Sequence, residues 1–201
     1  MRVPPIICLP VLIALAACGA TQAPMTYSPT VTVQPVAMAR PVVGAVDRVI
    51  NERSTGREDP TWIGTIRGGY GNPLKALHAT EPVEQVVAKA FSDALAARGL
   101  KAPPGSQPRY VLTVTIHQFD ANQYVRREAT ADFSAVLIER DSGREVWRDR
   151  ERVYNVDGSL ISLSTGIFAS IEDLQRVALQ TMNQAIDKLL DKASFRGAIR
   201  L

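Results

Sequence analysis

The two cysteines of this 201-residue chain, Cys8 and Cys18, both lie within its first 18 residues. No thiol therefore remains in residues 19–201 to form a disulfide, to complete a zinc site or to act as a catalytic nucleophile. A domain without such cross-links must be held together by its own hydrophobic core, and about 160 residues are enough to form one. We therefore expect a single domain that is stabilised by packing.

The first residues have the pattern of an export signal. Arg2 and the amino terminus supply a small positive charge, and residues 3–14 form an apolar run interrupted by three prolines. A run of about a dozen residues is too short to cross a bilayer, which takes about 20, but it has the length of the apolar part of a secretory signal. We predict a signal peptide at residues 1–17.

Four residues close this signal: Leu15, Ala16, Ala17 and Cys18. They resemble the lipobox of bacterial lipoproteins, in which Leu and two small residues precede a Cys that becomes the first mature residue. The resemblance implies that Cys18 carries a diacylglyceryl group and an acylated amino end, so that the lipid bilayer is one partner of the protein. The alternative is an ordinary secretory signal followed by a chance cysteine.

Residues 19–39 contain no charged side chain and include Pro24, Pro29 and Pro35. This composition predicts an extended tether over residues 18–40, which at about 3.1 Å per residue could reach roughly 60 Å from the membrane. A first strand through Thr30–Val33, where valines alternate with threonines, is the alternative.

Residues 41–193 carry the patterns of one folded domain. Apolar runs at 42–50 and 62–66 predict two strands, which the turn-forming residues between them could join as a hairpin. Alternating residues at 110–119 and 129–140, and a tight turn at 141–143 that leads into 145–154, predict an antiparallel meander of three strands.

Two amphipathic helices complete this domain. The first is indicated by apolar residues at helical spacing, and the second runs from the capping pair Ser170 and Asp173 to about Lys192. We expect residues 194–201 to fray. The pattern as a whole predicts an α+β fold in which an antiparallel sheet of about five strands carries both helices on one face. The first helix is marked by Val83, Val86, Val87, Ala90, Phe91, Ala94 and Leu95.

We find no motif for catalysis, metal binding or nucleotide binding. The glycine-rich segment 67–73 lacks the Gly-Lys-Ser/Thr ending of a phosphate loop, which favours a mobile loop with Tyr70 at its tip. His78 and His117 are not at metal-ligand spacing, and no Gly-x-Ser-x-Gly elbow occurs. The net charge of +3 contains no block of like charges, which argues against nucleic acid as a partner. We therefore expect neither an enzyme nor a cofactor.

One predicted strand could meet a partner. Residues 147–152 alternate in charge, a pattern that either prevents a sheet edge from pairing with other chains or forms a polar binding edge. The residues that we predict for an interaction surface are Trp62, Tyr70, Trp147, Arg148 and Arg150.

The order of several features along the chain resembles the YajG-type family of bacterial lipoproteins, and more loosely the auxiliary lipoproteins of envelope lipid transporters. The resemblance implies a cell-envelope lipoprotein without catalytic residues, and Gly19 in place of Asp after the lipidated cysteine implies the outer membrane, facing the periplasm. The features are the lipobox at Cys18, the early strand with Asp47 and Arg53, the Gly64–Gly71 loop, the pattern Ala94, Leu95, Arg98 and Gly99, the strand Leu112–Ile116, the turn Arg140–Gly143, the segment Tyr154–Gly158 and the last helix.

Two functions remain open from the sequence. The first is a non-catalytic adaptor that binds another envelope protein through the exposed face or the edge of the sheet. The second is a carrier that holds an apolar ligand, such as a lipid, between the helices and the sheet. A carrier needs an apolar cavity of several hundred Å³, whereas an adaptor needs a filled core and an exposed patch.

Overall fold

The computed structural model describes residues 19–35, 43–157 and 170–199. The proposed lipidation site Cys18 and the residues Leu15, Ala16 and Ala17 lie outside this part of the chain. The described elements are β1 (Gly19–Ala23), β2 (Val43–Asn51), β3 (Trp62–Arg67), β4 (Pro73–Ala79), α1 (Val83–Ala97), β5 (Tyr110–Gln123), β6 (Arg127–Glu139), β7 (Glu145–Asp157), α2 (Ile171–Leu190) and α3 (Ala193–Ala198).

The seven described strands form one mixed sheet. Their order is β1-β4-β3-β5-β6-β7, and β2 also pairs with β5. The pairs β3–β4, β5–β6 and β6–β7 are antiparallel, whereas β1–β4, β2–β5 and β3–β5 are parallel. The predicted antiparallel sheet of about five strands is therefore wrong. The predicted meander is confirmed as β5, β6 and β7, with β7 at one edge of the sheet.

β2 and β3 lie end to end along one edge of β5. β2 pairs with Tyr110–Ile116 and β3 pairs with Ala121–Gln123, both in parallel. The hairpin predicted for these two strands is wrong, because the chain continues in the same direction from one to the other and both pair with β5 instead. β5 is 14 residues long, which is enough to accept two short strands in succession.

β4 is a strand that the sequence pattern did not reveal. It begins with Pro73 and contains Lys75 and His78, so its apolar alternation is incomplete and its proline counts against a strand. β3 and β4 form a hairpin, and the turn between them is closed by a 2.8 Å hydrogen bond from Gly71 N to Gly68 O. The loop predicted around Tyr70 is therefore the tight turn of this hairpin.

The helices pack on one face of the sheet. The predicted apolar stripe of α1 is confirmed, since its members are at most 4% exposed. α2 begins as predicted, with Ser170 Oγ accepting a hydrogen bond from Asp173 N. Residues that were expected to fray form α3 instead, where the ring of Phe195 meets that of Trp147 edge to face at 4.9 Å between centroids.

The segment predicted as a tether is folded against the domain over much of its length. Gly19–Ala23 pairs in parallel with Lys75–Ala79, and Met25 and Tyr27 are buried at 6% and 9% exposure. The alternative strand at residues 30–33 does not form. An uncharged segment with several prolines suits a tether or an edge strand equally well, and here the open edge of β4 accepts it.

Candidate functional site

A buried polar cluster fixes the N-terminal segment to the helices. We call it the N-terminal lock, and it consists of Tyr27, Thr30, Arg98, Asp187 and Asp191. Arg98 lies at the end of α1, and its guanidinium contacts Asp187 at 2.9 Å and Asp191 at 2.8 Å. The Tyr27 hydroxyl donates to Asp187 at 2.5 Å, and the backbone N–H and hydroxyl of Thr30 donate to the same carboxylate at 2.8 and 2.7 Å.

Two charges of the lock, those of Arg98 and Asp187, are almost completely removed from water, whereas the Asp191 side chain is 35% exposed. The Arg98 and Asp187 side chains are 4% and 3% exposed. Burial by itself would raise the pKa of Asp187, but the hydrogen bonds from Tyr27, Thr30 and Arg98 hold it below its ordinary value. Burial likewise opposes the charge on Arg98, whereas its hydrogen bonds to Asp191, Tyr27 and Asp187 raise its pKa. The pair is therefore ionised, and each member depends on the other.

Deprotonation of Tyr27 is expected to weaken the lock at high pH. Burial and the hydrogen bond to Asp187 raise the pKa of Tyr27 from 10.0 to about 12. Because the folded state holds this proton more tightly than the unfolded state, the stabilisation is complete below pH 10 and is lost as the pH rises from 10 to 12. At 1.36 kcal/mol per pKa unit, the loss reaches about 3 kcal/mol.

This pH dependence can be measured by urea unfolding of a Cys18→Ser form between pH 8 and pH 12. Tyr27→Phe should lose this component of the pH dependence, whereas Tyr70→Phe, at a fully exposed position, should keep it. Equal slopes for wild type and Tyr27→Phe would contradict the assignment.

A second buried cation bridges the gap between β2 and β3. Arg53 is 1% exposed, and its guanidinium donates to the carbonyl oxygens of Trp62 at 2.9 Å, Gly56 at 3.0 Å and Phe119 at 3.3 Å. Burial lowers the pKa of Arg53 from its ordinary value. The side chain takes the place of a strand partner where β5 has none, so we assign it a structural role. Arg53 was among the residues that carry the family resemblance, but the sequence did not indicate that its side chain binds backbone carbonyl groups.

The five residues predicted for an interaction surface do not form one surface. Tyr70 is fully exposed in the β3–β4 turn, whereas Trp62 is half-buried at the opposite end of β3. Arg148 and Arg150 are exposed on β7, three strands away from β3 in the sheet order. Trp147 is 7% exposed, and it faces α3, where its indole N–H donates to Ser194 Oγ at 3.1 Å.

The exposed arginines of β7 bind carboxylates of their own sheet. Both oxygens of Asp132 accept hydrogen bonds from Arg150 at 2.7 Å, although Asp132 itself is 3% exposed. Arg148 binds Glu145 through two hydrogen bonds of 3.0 and 2.6 Å. The acidic residues that alternate with them, Asp149 and Glu151, instead bind Lys192 at 2.8 and 3.2 Å on the face that carries the helices. The alternation in the sequence therefore reflects arginines on the outer face of the sheet, the face turned away from the helices, and carboxylates on the helix face.

The two histidines take part in local hydrogen bonds. His78 Nδ1 lies 3.1 Å from Thr61 Oγ1 and 3.5 Å from Asp59 Oδ2. His117 contacts Ser134 through Nε2, and its Nδ1 lies 3.4 Å from Glu52. In the described ranges, no group of three or more His, Cys, Asp or Glu side chains is placed to hold a metal ion.

The interface between helices and sheet is filled by side chains. Phe91 of α1 meets Phe133 of β6 edge to face at 5.9 Å between centroids, and Phe119 lies 6.1 Å from Phe133. Leu174 and Met182 of α2 are fully buried in the same hydrophobic core. A surface groove of about 730 Å³ lies elsewhere, along the 101–108 loop, with Gly44 and Arg140 at its borders.

Several exposed apolar side chains lie at one end of the sheet. Of these residues, the sequence analysis predicted only Tyr70 as part of an interaction surface. Tyr124 and Val125 form the β5–β6 turn and are 51% and 57% exposed. The Tyr124 hydroxyl donates to Gly69 O at 2.9 Å, which joins this turn to the β3–β4 turn. Tyr154 and Val156 are exposed near the end of β7. The sequence feature that could have indicated this exposed patch is the pair of large apolar residues, Tyr124 and Val125, inside a turn.

No protein-family model matches the chain, and no curated protein matches it. Among solved structures, a Xanthomonas campestris protein of family DUF330 is 17% identical, with a TM-score of 0.54 over 89% of this chain and 96% of that chain. An uncharacterized protein is 10% identical, with a TM-score of 0.51 over 85% and 95%. These two likenesses show a shared fold.

Bacterial lipoproteins stand among the other structural neighbours. Lipoprotein GNA1162 from Neisseria meningitidis is 13% identical, with a TM-score of 0.29 over 72% of this chain and 97% of that chain. The comparisons do not confirm the YajG-type resemblance, which stays a prediction. No helix in residues 19–35, 43–157 and 170–199 is long and apolar enough to span a membrane.

Proposed function

We propose that this protein is a lipid-anchored protein of the bacterial cell envelope, attached through acylated Cys18 to the outer membrane and facing the periplasm, where it acts as a non-catalytic adaptor for another envelope protein. The anchor is supported by the lipobox-like residues Leu15–Cys18. The chain enters β1 at the next residue, so the domain is held at the membrane by a folded connection.

The filled interface between helices and sheet is the observation that favours an adaptor over a carrier. A carrier of an apolar ligand needs an enclosed apolar cavity of several hundred Å³. Here the space between α1, α2 and β6 holds Phe91, Phe133, Leu174, Met182 and Ile186, each of them fully buried. A lipid could enter only by displacing these side chains.

The outer face of the sheet is the surface that we assign to the partner. Arg152 is exposed on β7, close to the paired Arg150, and Val136 and Thr113 are half-exposed on β6 and β5. The mixture of exposed guanidinium groups with small apolar and hydroxyl side chains suits a partner that offers carboxylates around an apolar centre.

In-cell photo-cross-linking tests this proposal. A photoreactive residue at Arg152 should form an adduct with one defined envelope protein, and the same residue at Lys89, on the exposed side of α1, should not. The yield at position 152 should fall at least about tenfold in a Cys18→Ser background, because the anchor sets the local concentration. Membrane fractionation should place the wild type, but not the Cys18→Ser form, with the outer membrane.

Two results would overturn the proposal. A lipid that co-purifies in stoichiometric amount, without a protein adduct, would favour the carrier. Equal adducts from positions 152 and 89 would show that the outer face has no specific partner.

A further inference from the structure

Three chain segments meet at one end of the sheet. We call this the anchor end and define it by Gly19, the turn Gly68–Asn72 and the turn Tyr124–Arg126. β3 and β5 run in parallel, so that Arg67 and Gln123 end at the same side, and β4 starts there. β1 is parallel to β4, and its first residue, Gly19, is opposite Lys75, roughly 7 Å along β4 from its start.

The chain has little freedom between the proposed lipid and this end of the sheet. Cys18 precedes Gly19 by one peptide bond, which fixes the distance between their Cα atoms at about 3.8 Å. Gly19–Ala23 is held by pairing with β4, and the segment that follows is held by the N-terminal lock, where Thr30 bonds to Asp187. Acyl chains on Cys18 therefore enter a bilayer that lies directly beside the anchor end.

The side chains at the anchor end suit the boundary between water and lipid. Tyr70 is fully exposed, and Tyr124 and Val125 are more than half exposed, although large apolar groups are usually buried. Tyrosine is enriched at membrane surfaces because its ring is apolar and its hydroxyl is polar. Arg67 adds positive charge beside these rings, which favours anionic headgroups, whereas Arg126 is already paired with Glu128 at 2.6 Å.

We infer that the anchor end is a membrane-contact surface, in which Tyr70, Tyr124 and Val125 enter the headgroup region of the bilayer that holds the acyl chains. The inference rests on the acylation of Cys18 in the proposed function. It adds that the domain has a fixed orientation, with the β3–β4 and β5–β6 turns against the lipid and the far end of α2 pointing into the periplasm.

Cysteine labelling tests this orientation, because acylation of Cys18 leaves the mature chain without a free thiol. The acylated full-length protein is reconstituted into vesicles of three parts phosphatidylethanolamine to one part phosphatidylglycerol. Tyr70→Cys and Val125→Cys each carry an environment-sensitive fluorophore, and quenching by lipids with a headgroup nitroxide is measured. The matched control is Val31→Cys, which is also exposed but follows Thr30 at the lock, about 21 Å further along α2 than Asp173.

The expected result is that quenching at positions 70 and 125 exceeds that at position 31 at least about threefold, since the quencher acts only at short range. Equal quenching at all three positions, in protein that floats with the vesicles, would overturn the membrane contact and leave the anchor intact. Protein that does not float with the vesicles, and whose mass shows no acyl groups, would instead contradict the anchor and with it the proposed function.

Discussion

Replacement of Arg98 by Met is expected to lower the free energy of unfolding by about 3–5 kcal/mol, the usual cost of leaving one member of a buried ion pair without its partner. The variant would leave Asp187 buried at 3% exposure, with hydrogen bonds from Tyr27 and Thr30 but no cation. The measurement is urea unfolding of a Cys18→Ser form at pH 7.

A matched control and a double variant make this prediction specific. Arg148→Met removes an arginine of the same size from an exposed pair with Glu145 and should cost less than about 1 kcal/mol. Arg98→Met combined with Asp187→Leu should recover part of the loss, because no fully buried charge then remains unpaired, while the Tyr27 hydroxyl loses both of its partners. A loss below about 1 kcal/mol in Arg98→Met would show that the lock contributes little to stability.

Proteolysis of the same variants would show whether the lock stabilises the N-terminal segment in particular or the whole core. When the lock is weakened, residues 24–35 should be cleaved before the sheet, because outside the lock this segment is held by the burial of Met25 and by the hydrogen bond from Gln175 to Pro24 O rather than by strand pairing. Cleavage at equal rates in Arg98→Met and Arg148→Met would contradict the assignment of the lock to this segment.

Gly64→Ala is expected to destabilise the domain by about 3 kcal/mol, at the upper end of the usual range for overpacked sites. A Cβ atom on Gly64 would lie 1.8 Å from the backbone oxygen of Ala121. That oxygen belongs to β5, which pairs with β3 at this position, so the clash cannot be relieved by rotating a side chain. The strand would have to separate from β5.

The control for this variant is Gly69→Ala, where an added Cβ meets nothing within 4 Å. That variant should change the free energy of unfolding by less than about 0.5 kcal/mol. Amide hydrogen exchange should show in addition that Gly64→Ala loses protection in β3 and β4 before β6. Wild-type stability of Gly64→Ala would mean that β3 is not held tightly against β5.

Local patterns predicted the parts of the fold that depend on sequence neighbours. The stripe of α1 repeats at helical spacing, and the strands of the meander are joined by short turns, so each could be recognised within a window of about 20 residues. β4 could not, because it starts with Pro73 and its alternation is broken at Lys75. Trp147 was assigned to a surface because its neighbours are charged, whereas its own side chain faces α3.

The candidate sites show the same limit. The lock joins residues that are up to 160 positions apart in the chain, and nothing near Tyr27 indicates that Asp187 is its partner. The anchor end likewise depends on which way β1 runs beside β4, since an antiparallel β1 would place Gly19 at the other end of the sheet.

By itself, the sequence determined that residues 19–201 contain no thiol, predicted an export signal with a lipobox-like end, and located two amphipathic helices and a three-stranded meander. These properties are set by composition and by short-range periodicity. Only the tertiary structure decided that the first residues after Cys18 join the sheet, that β2 and β3 share one edge of β5, and that the helix–sheet interface is filled. Strand pairing and burial depend on contacts between residues that are distant in the chain. Because the hydrophobic effect is not directional, an apolar pattern shows that a face is buried but not which strand or helix covers it.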